Sequence, residues 1–158
     1  MFVLISLVIS IGILLTMFHF SKHRQTTLQR KFDILVLLRQ VLLLSRQHRS
    51  LTHQALSLQD QSHSFPELER IYDQMMEKSG ELIAVAQFEN KPMYRILQIK
   101  LKGLHKEWSQ RSVARNQVIH GHAIRHGMFM MDEVAIAWLI ESGREELSDE
   151  YHLNWHKC

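Results

Sequence analysis

The first twenty residues, Met1 to Phe20, contain no Asp, Glu, Lys or Arg, and Lys22, His23 and Arg24 follow at once. A helix needs roughly 20 apolar residues to cross the hydrocarbon core of a bilayer, and this Leu/Ile/Val/Phe-rich run has that length. A cleaved signal carries a basic n-region, a shorter apolar core and a small-x-small site. Here only Met1 precedes the run, and His19-Phe20-Ser21-Lys22-His23-Arg24 offers no small-x-small pair. The sequence therefore predicts an uncleaved anchor over residues 1–21. Its cationic flank (Lys22, Arg24, Arg30, Lys31) lies wholly on the C-terminal side, and positive flanks stay cytoplasmic. The expectation is a single-pass protein of a bacterial inner membrane with the bulk of the chain in the cytoplasm. One cysteine, Cys158, allows no intramolecular disulfide and agrees with a reducing compartment.

The chain has 19 basic and 16 acidic residues, a formal charge of +3, and part of the excess sits where anionic headgroups attract it. A nucleic-acid footprint needs denser cationic clustering, so the expected partners are the bilayer and a protein in the membrane or cytoplasm. Two Pro and six Gly are few for 158 residues, and the hairpin dipeptides Asn-Gly and Asp-Gly are absent. The chain reads as all-α.

Apolar positions mark four helices. Ile34, Leu37, Leu38, Val41, Leu44, Leu51, Ala55 and Leu58 recur at three- and four-residue steps, predicting a helix from about Thr26 to Leu58. A polar loop, Gln59 to Ser64, leads to Pro66 with Glu67 and Glu69 nearby, a helix start with anionic first-turn residues. That helix is expected to continue through Ile71, Met75, Leu82, Val85 and Phe88, until Asn90-Lys91-Pro92 turns the chain. A third helix is expected from Met93 to Trp108, then a break near Ser109 to Ser112, with Ser112 capping a last helix that Gly143 stops. One continuous helix from Met93 to Ser142 is the competing reading. The predicted architecture is an N-terminal transmembrane helix, an antiparallel four-helix bundle over residues 22–147 and a short tail over 148–158.

Eleven histidines in 158 residues direct attention to metal and haem chemistry. His122 and His126 stand i, i+4 on one helix, as do His152 and His156 with Cys158 beyond, and such pairs can supply zinc ligands. No thiol or carboxylate pattern completes a zinc signature, and Gly121 and Gly127 weaken the first pair's helix. His48 and His120 fall in register with the apolar faces of the first and last helices. At about 1.5 Å per residue they stand about 15 and 12 Å from the distal end of the bundle, at one level, which Met75 and Met76 also reach. With neighbouring Arg49 and Asn116 they form either a buried polar layer that sets register, a small-anion pocket in which Arg49 supplies donors, or a haem-ligating layer. Catalysis finds no support: Cys158 is the last residue printed, Asp132-Glu133 and Glu145-Glu146 are adjacent pairs pointing to different sides of a helix, and neither a phosphate loop nor His-Glu-x-x-His occurs. No enzymatic activity is expected.

Gln47-His48-Arg49-Ser50-Leu51 follows an apolar helix, as Gln-x-Glu-Arg-Gly-Leu-Ser does in the nitrate- and nitrite-sensing (NIT) domain. Trp108, Asn116, His120 to Ile124 and Met131 to Ala135 resemble that family's closing helix, and Ser142 to Tyr151 its sequel. The resemblance covers roughly 110 residues. It implies a helical-bundle sensor in which Arg49 corresponds to the anion-binding arginine. His48 replaces the motif's acidic residue and Ser50 its glycine, so the implied pocket differs in charge. It also implies a sensing face outside the cell, opposite to the side set by the cationic flank. None of that family's output domains follows, so a sensor of this form is expected to signal through a partner.

Two functions are consistent with these features. One is a membrane-anchored accessory or sensor-like bundle whose polar layer around His48, Arg49, Asn116 and His120 responds to a small ligand or to protons. The other is a structural or assembly subunit of a membrane complex, with a haem-binding redox carrier as a third class.

Overall fold

The computed structural model describes residues 2–58 and 65–143. Four α-helices account for most of them: α1 Phe2–Leu58, α2 Phe65–Val85, α3 Lys91–His105 and α4 Val113–Glu141. Single 3-10 turns, Phe88–Asn90 and Trp108–Gln110, join α2 to α3 and α3 to α4. The fold is all-α, with no strand among the described residues.

The apolar N-terminal stretch and the first bundle helix are one element. No residue between Thr16 and Gln40 breaks helical geometry, and α1 runs unbroken through the expected junction at Ser21. Residues 2–26 are exposed throughout, and the stretch has the length and composition of a membrane span. Beyond it, α1 buries Ile34, Leu37, Leu38, Val41, Leu42, Ser45, His48, Thr52 and Ala55, the three–four periodicity of a core-facing stripe.

The other helices close a ring. α2 contributes Leu68, Ile71, Met75 and Leu82, α3 contributes Tyr94, Leu97, Leu101 and Leu104, and α4 contributes Ala123, Ile124 and Met130. Neighbours run antiparallel. Going up α1, Lys31, Thr52 and His53 meet Glu141, Asn116 and Gln117 going down α4; Gln98 and His105 of α3 meet Ser79 and Glu69 of α2. Gly127 of α4 packs directly against α1: a Cβ there would stand 2.8 Å from Leu42 Cδ2.

Helix ends follow local chemistry. Ser112 adopts extended geometry and its hydroxyl accepts the Arg115 N–H at 3.2 Å, so α4 starts at a side-chain cap as expected. Gly143, at φ +76, follows the C-terminus of α4. Three boundaries differ from the sequence reading. α3 starts at Lys91, with Pro92 in its first turn, rather than at Met93 after an Asn90-Lys91-Pro92 turn. α2 ends at Val85, so Phe88 is not on its apolar face but stands in the following turn, 88% exposed. α3 ends at His105 rather than Trp108, because Glu107 turns left-handed at φ 52; this break also replaces the continuous Met93–Ser142 helix. The loop over 59–64 and the expected tail lie outside the described residues.

Candidate functional site

A single buried turn of α1 organises the polar interior. His48 and Thr52 share one face at i, i+4, and both are fully buried, as are Asn116 and His120 opposite them on α4. Asn116 Nδ2 donates to Thr52 Oγ1 at 2.9 Å, and the Thr52 hydroxyl donates to the His48 carbonyl at 2.8 Å. The expected level is therefore present: His48 Nδ1 lies 2.9 Å from His120 Nε2, with the rings stacked at 5.2 Å.

The layer does not end there. His48 Nε2 lies 3.2 Å from His105 Nδ1, and His105 Nε2 lies 3.1 Å from Glu69 Oε1. At the other end His120 Nδ1 lies 2.8 Å from the Asn116 carbonyl oxygen. One side chain from each helix thus enters an unbroken chain that ends on a main-chain carbonyl: Asn116 carbonyl and His120 (α4), His48 (α1), His105 (α3), Glu69 (α2). The first two imidazoles are sealed; the His105 side chain is 18% exposed and Glu69 59% exposed. Tyr72 stacks on His105 at 4.3 Å. Arg111 donates to the Leu104, Gly103 and Lys106 carbonyls, satisfying the orphan acceptors at the end of α3 and fixing His105 at its last turn.

Hydrogen-bond counting sets the proton content. The Asn116 carbonyl only accepts, so His120 must carry its proton on Nδ1. A neutral His120 then accepts at Nε2, which makes His48 a donor at Nδ1 and an acceptor at Nε2, and makes His105 a donor at Nδ1. A neutral His105 would present a bare nitrogen to the Glu69 carboxylate. Four links need four protons, and three neutral imidazoles hold three. The chain is complete only with one additional proton.

That proton is unwelcome inside. Burial, then the positive fields of His120, His105 and Arg111, lower His48 to about 3. Burial chiefly, with Arg111 and Arg49 adding to it against the Asn116 carbonyl, lowers His120 to about 4. The outer end has both solvent and a carboxylate.

Arg49, one residue from His48, is turned by a helix's roughly 100° per residue away from the buried layer and is exposed. It borders a shallow surface depression with Gln117, Val118, Gly121, His122 and Arg125. His122 is exposed and His126 half-buried, its Nε2 without a hydrogen-bond partner; burial, then Lys100, lowers its pKa. No cluster of three His, Cys, Asp or Glu suited to a metal ion occurs among the described residues. His152, His156 and Cys158 lie outside them. Met75 sits about one turn nearer the apolar N-terminal stretch, with its sulfur 3.6 Å from Ser45 Oγ.

A haem iron does not fit between His48 and His120. Their facing nitrogens are 2.9 Å apart, whereas two imidazoles on opposite sides of one metal, each roughly 2 Å from it, stand roughly 4 Å apart. No family model, curated protein or solved structure matches the chain. The geometry alone carries the functional reading.

His105 and Glu69 are the members that sequence reasoning missed. His105 was legible in principle, four residues after the buried Leu101. Glu69 was not, because an exposed carboxylate close to a helix start satisfies the ordinary helix-start pattern.

Proposed function

We propose that the chain is a membrane-anchored, non-catalytic helical bundle that serves as an accessory or sensor-like module and reads the state of its histidine relay. The relay carries this reading: it takes one side chain from each helix and runs from a sealed carbonyl to a solvent-accessible carboxylate. A proton taken up at the His105–Glu69 end completes the fourth link, and its loss breaks that link. Because the relay joins α1, α3 and α4 inside the bundle, the difference acts on helix packing, the kind of bistable element a switch needs.

The charged and polar groups facing the relay favour this direction of entry. Arg49 on α1 and Arg111 before α4 oppose charge on the inner rings, while Glu69 on α2, beside Tyr72, attracts it at the outer end. An anion at the depression bordered by Arg49, His122 and Arg125 would weaken the opposition at His120, so the small-anion class suggested by the sensor resemblance would act on the same element. Residues 1–21 anchor the bundle, with the cationic flank holding it on the cytoplasmic side of a bacterial inner membrane, and a protein partner receives the output.

Double electron–electron resonance on the full chain in nanodiscs tests the reading, with Cys158→Ser and labels at the exposed positions Arg46 and Arg95. The α1–α3 spacing is expected to differ between pH 8 and pH 6 in the parent and to stay constant in a His105→Phe variant. A parent spacing that does not move while the protein stays folded would favour the structural or assembly subunit, with the histidine layer serving only to set register.

A further inference from the structure

We propose that the turn between α2 and α3 is a second membrane contact, in which Phe88 inserts into the bilayer surface beside the anchor and Lys22, Arg30 and Lys91 meet anionic lipid headgroups. This rests on the reading of residues 1–21 as a bilayer-spanning anchor.

Phe88 is 88% exposed, more than any other large apolar side chain described after Phe20. It is presented by a fixed turn. The neighbouring Ala86 is buried, with its N–H on the Leu82 carbonyl at 3.1 Å, and the N–H groups of Asn90 and Lys91 both reach the Gln87 carbonyl, at 3.0 and 3.2 Å. The ring therefore points outward because the backbone holds it there.

The height of the turn is set by α1. Gln87 shares a surface hollow with His19, Lys22, His23 and Arg30, and Ala84 and Val85 share another with Lys22, Gln25 and Arg30. His19 to Thr26 covers about 10 Å of helix, bracketing the point where the uncharged stretch ends and cations begin. An anchor that places this point at the bilayer surface places the turn there too. Lys22 and Arg30 line both hollows and Lys91 follows the turn in sequence, against Glu89 on the turn and Asp33 at the edge of the second hollow. An exposed apolar side chain on a turn that borders cations is the chemistry of an anionic lipid surface. Exposed Ile99 is different: it follows Gln98, which bonds Ser79 halfway along the bundle.

Spin labels in the full chain, reconstituted in phosphatidylcholine/phosphatidylglycerol vesicles on a Cys158→Ser background, test this by accessibility to oxygen and to a water-soluble nickel chelate. With Ile11→Cys marking the span and Ile99→Cys marking water, a label at Phe88→Cys is expected to be shielded from nickel and reached by oxygen, between the two references. A Phe88 label as nickel-accessible as that at Ile99, with Ile11 still in the bilayer, overturns the contact and leaves the anchor standing. Nickel access at Ile11 overturns the anchor itself. Shielding of the Phe88 label from both reagents would place it in a contact between copies and also overturns the proposal.

Discussion

His120 and Glu69 close the two ends of one hydrogen-bonded chain, yet their substitutions act differently because one is buried and the other is not. His120→Ala empties a fully buried site and leaves the His48 Nδ1–H without its acceptor. Cavity and lost hydrogen bond together are expected to cost about 2–4 kcal/mol, read from chemical denaturation. Glu69→Gln keeps an acceptor for His105 but removes the charge, at a position more than half exposed. It is expected to change stability by less than about 1 kcal/mol, read from the same denaturation. Equal stability losses in the two variants would contradict a relay whose outer end works through charge. At this scale His48 and His120 were legible from register alone, since polar residues in phase with an apolar stripe must share its burial, and Asn116 as their neighbour. Arg49 was legible as a neighbour in sequence but not in space, because adjacent helical residues diverge. His105 escaped notice because its place depends on where α3 ends, and a left-handed glutamate that no local pattern announces sets that end.

Among elements, the pairing of α1 with α4 depends on a small residue. Gly127 and Gly121 occupy the same helix, but a Cβ at Gly127 would meet Leu42 Cδ2 at 2.8 Å and Leu42 Cγ at 3.5 Å, whereas one at Gly121 meets nothing within 4 Å. Both alanine variants gain helix propensity, about 1 kcal/mol. At Gly121 nothing opposes the gain, and Gly121→Ala is expected to stabilise by about 0.5–1 kcal/mol. At Gly127 the buried Leu42 side chain must move inside a packed interface, which costs about 1–3 kcal/mol, so Gly127→Ala is expected to be neutral to destabilising. Thermal or denaturant midpoints of the two variants measure the difference directly, and a Gly127→Ala protein as stable as Gly121→Ala would mean that the α1–α4 approach is looser than drawn. The sequence marked these glycines only as weak points of a helix; that one of them is a contact is a property of the helix pair. The Ser112 cap and the Gly143 stop were legible because each is satisfied within a few residues of itself. The fusion of the apolar N-terminal stretch with the first bundle helix was not, since a change in hydropathy leaves helical backbone geometry unaltered.

For the whole molecule, four amphipathic stripes separated by short polar segments leave few arrangements besides an antiparallel ring, which is why the architecture was legible in the sequence while the outer half of the interior relay was not. That interior gives the bundle a pH dependence whose sign follows from burial. His48 and His120 are held neutral in the folded state, at about 3 and about 4, against 6.5 when unfolded. The unfolded chain therefore binds protons first as pH falls. Neither group destabilises the fold above pH 6.5. Below it stability declines, until His120 titrates in the folded state near 4 and His48 near 3. At pH 5.5 the loss is up to about 1.4 kcal/mol for each imidazole, and His126, lowered by burial, acts in the same direction. The Glu67 carboxylate, held below its ordinary value by Arg70, titrates below this window. Denaturant unfolding of the full chain in micelles is expected to lose about 2–3 kcal/mol between pH 7.5 and 5.5. In His120→Ala the remaining slope should fall by about half, because one of the two buried bases is gone. A wild-type stability that stays flat over this window would show that the inner imidazoles already carry charge in the folded bundle, and the single-proton relay could not then be correct.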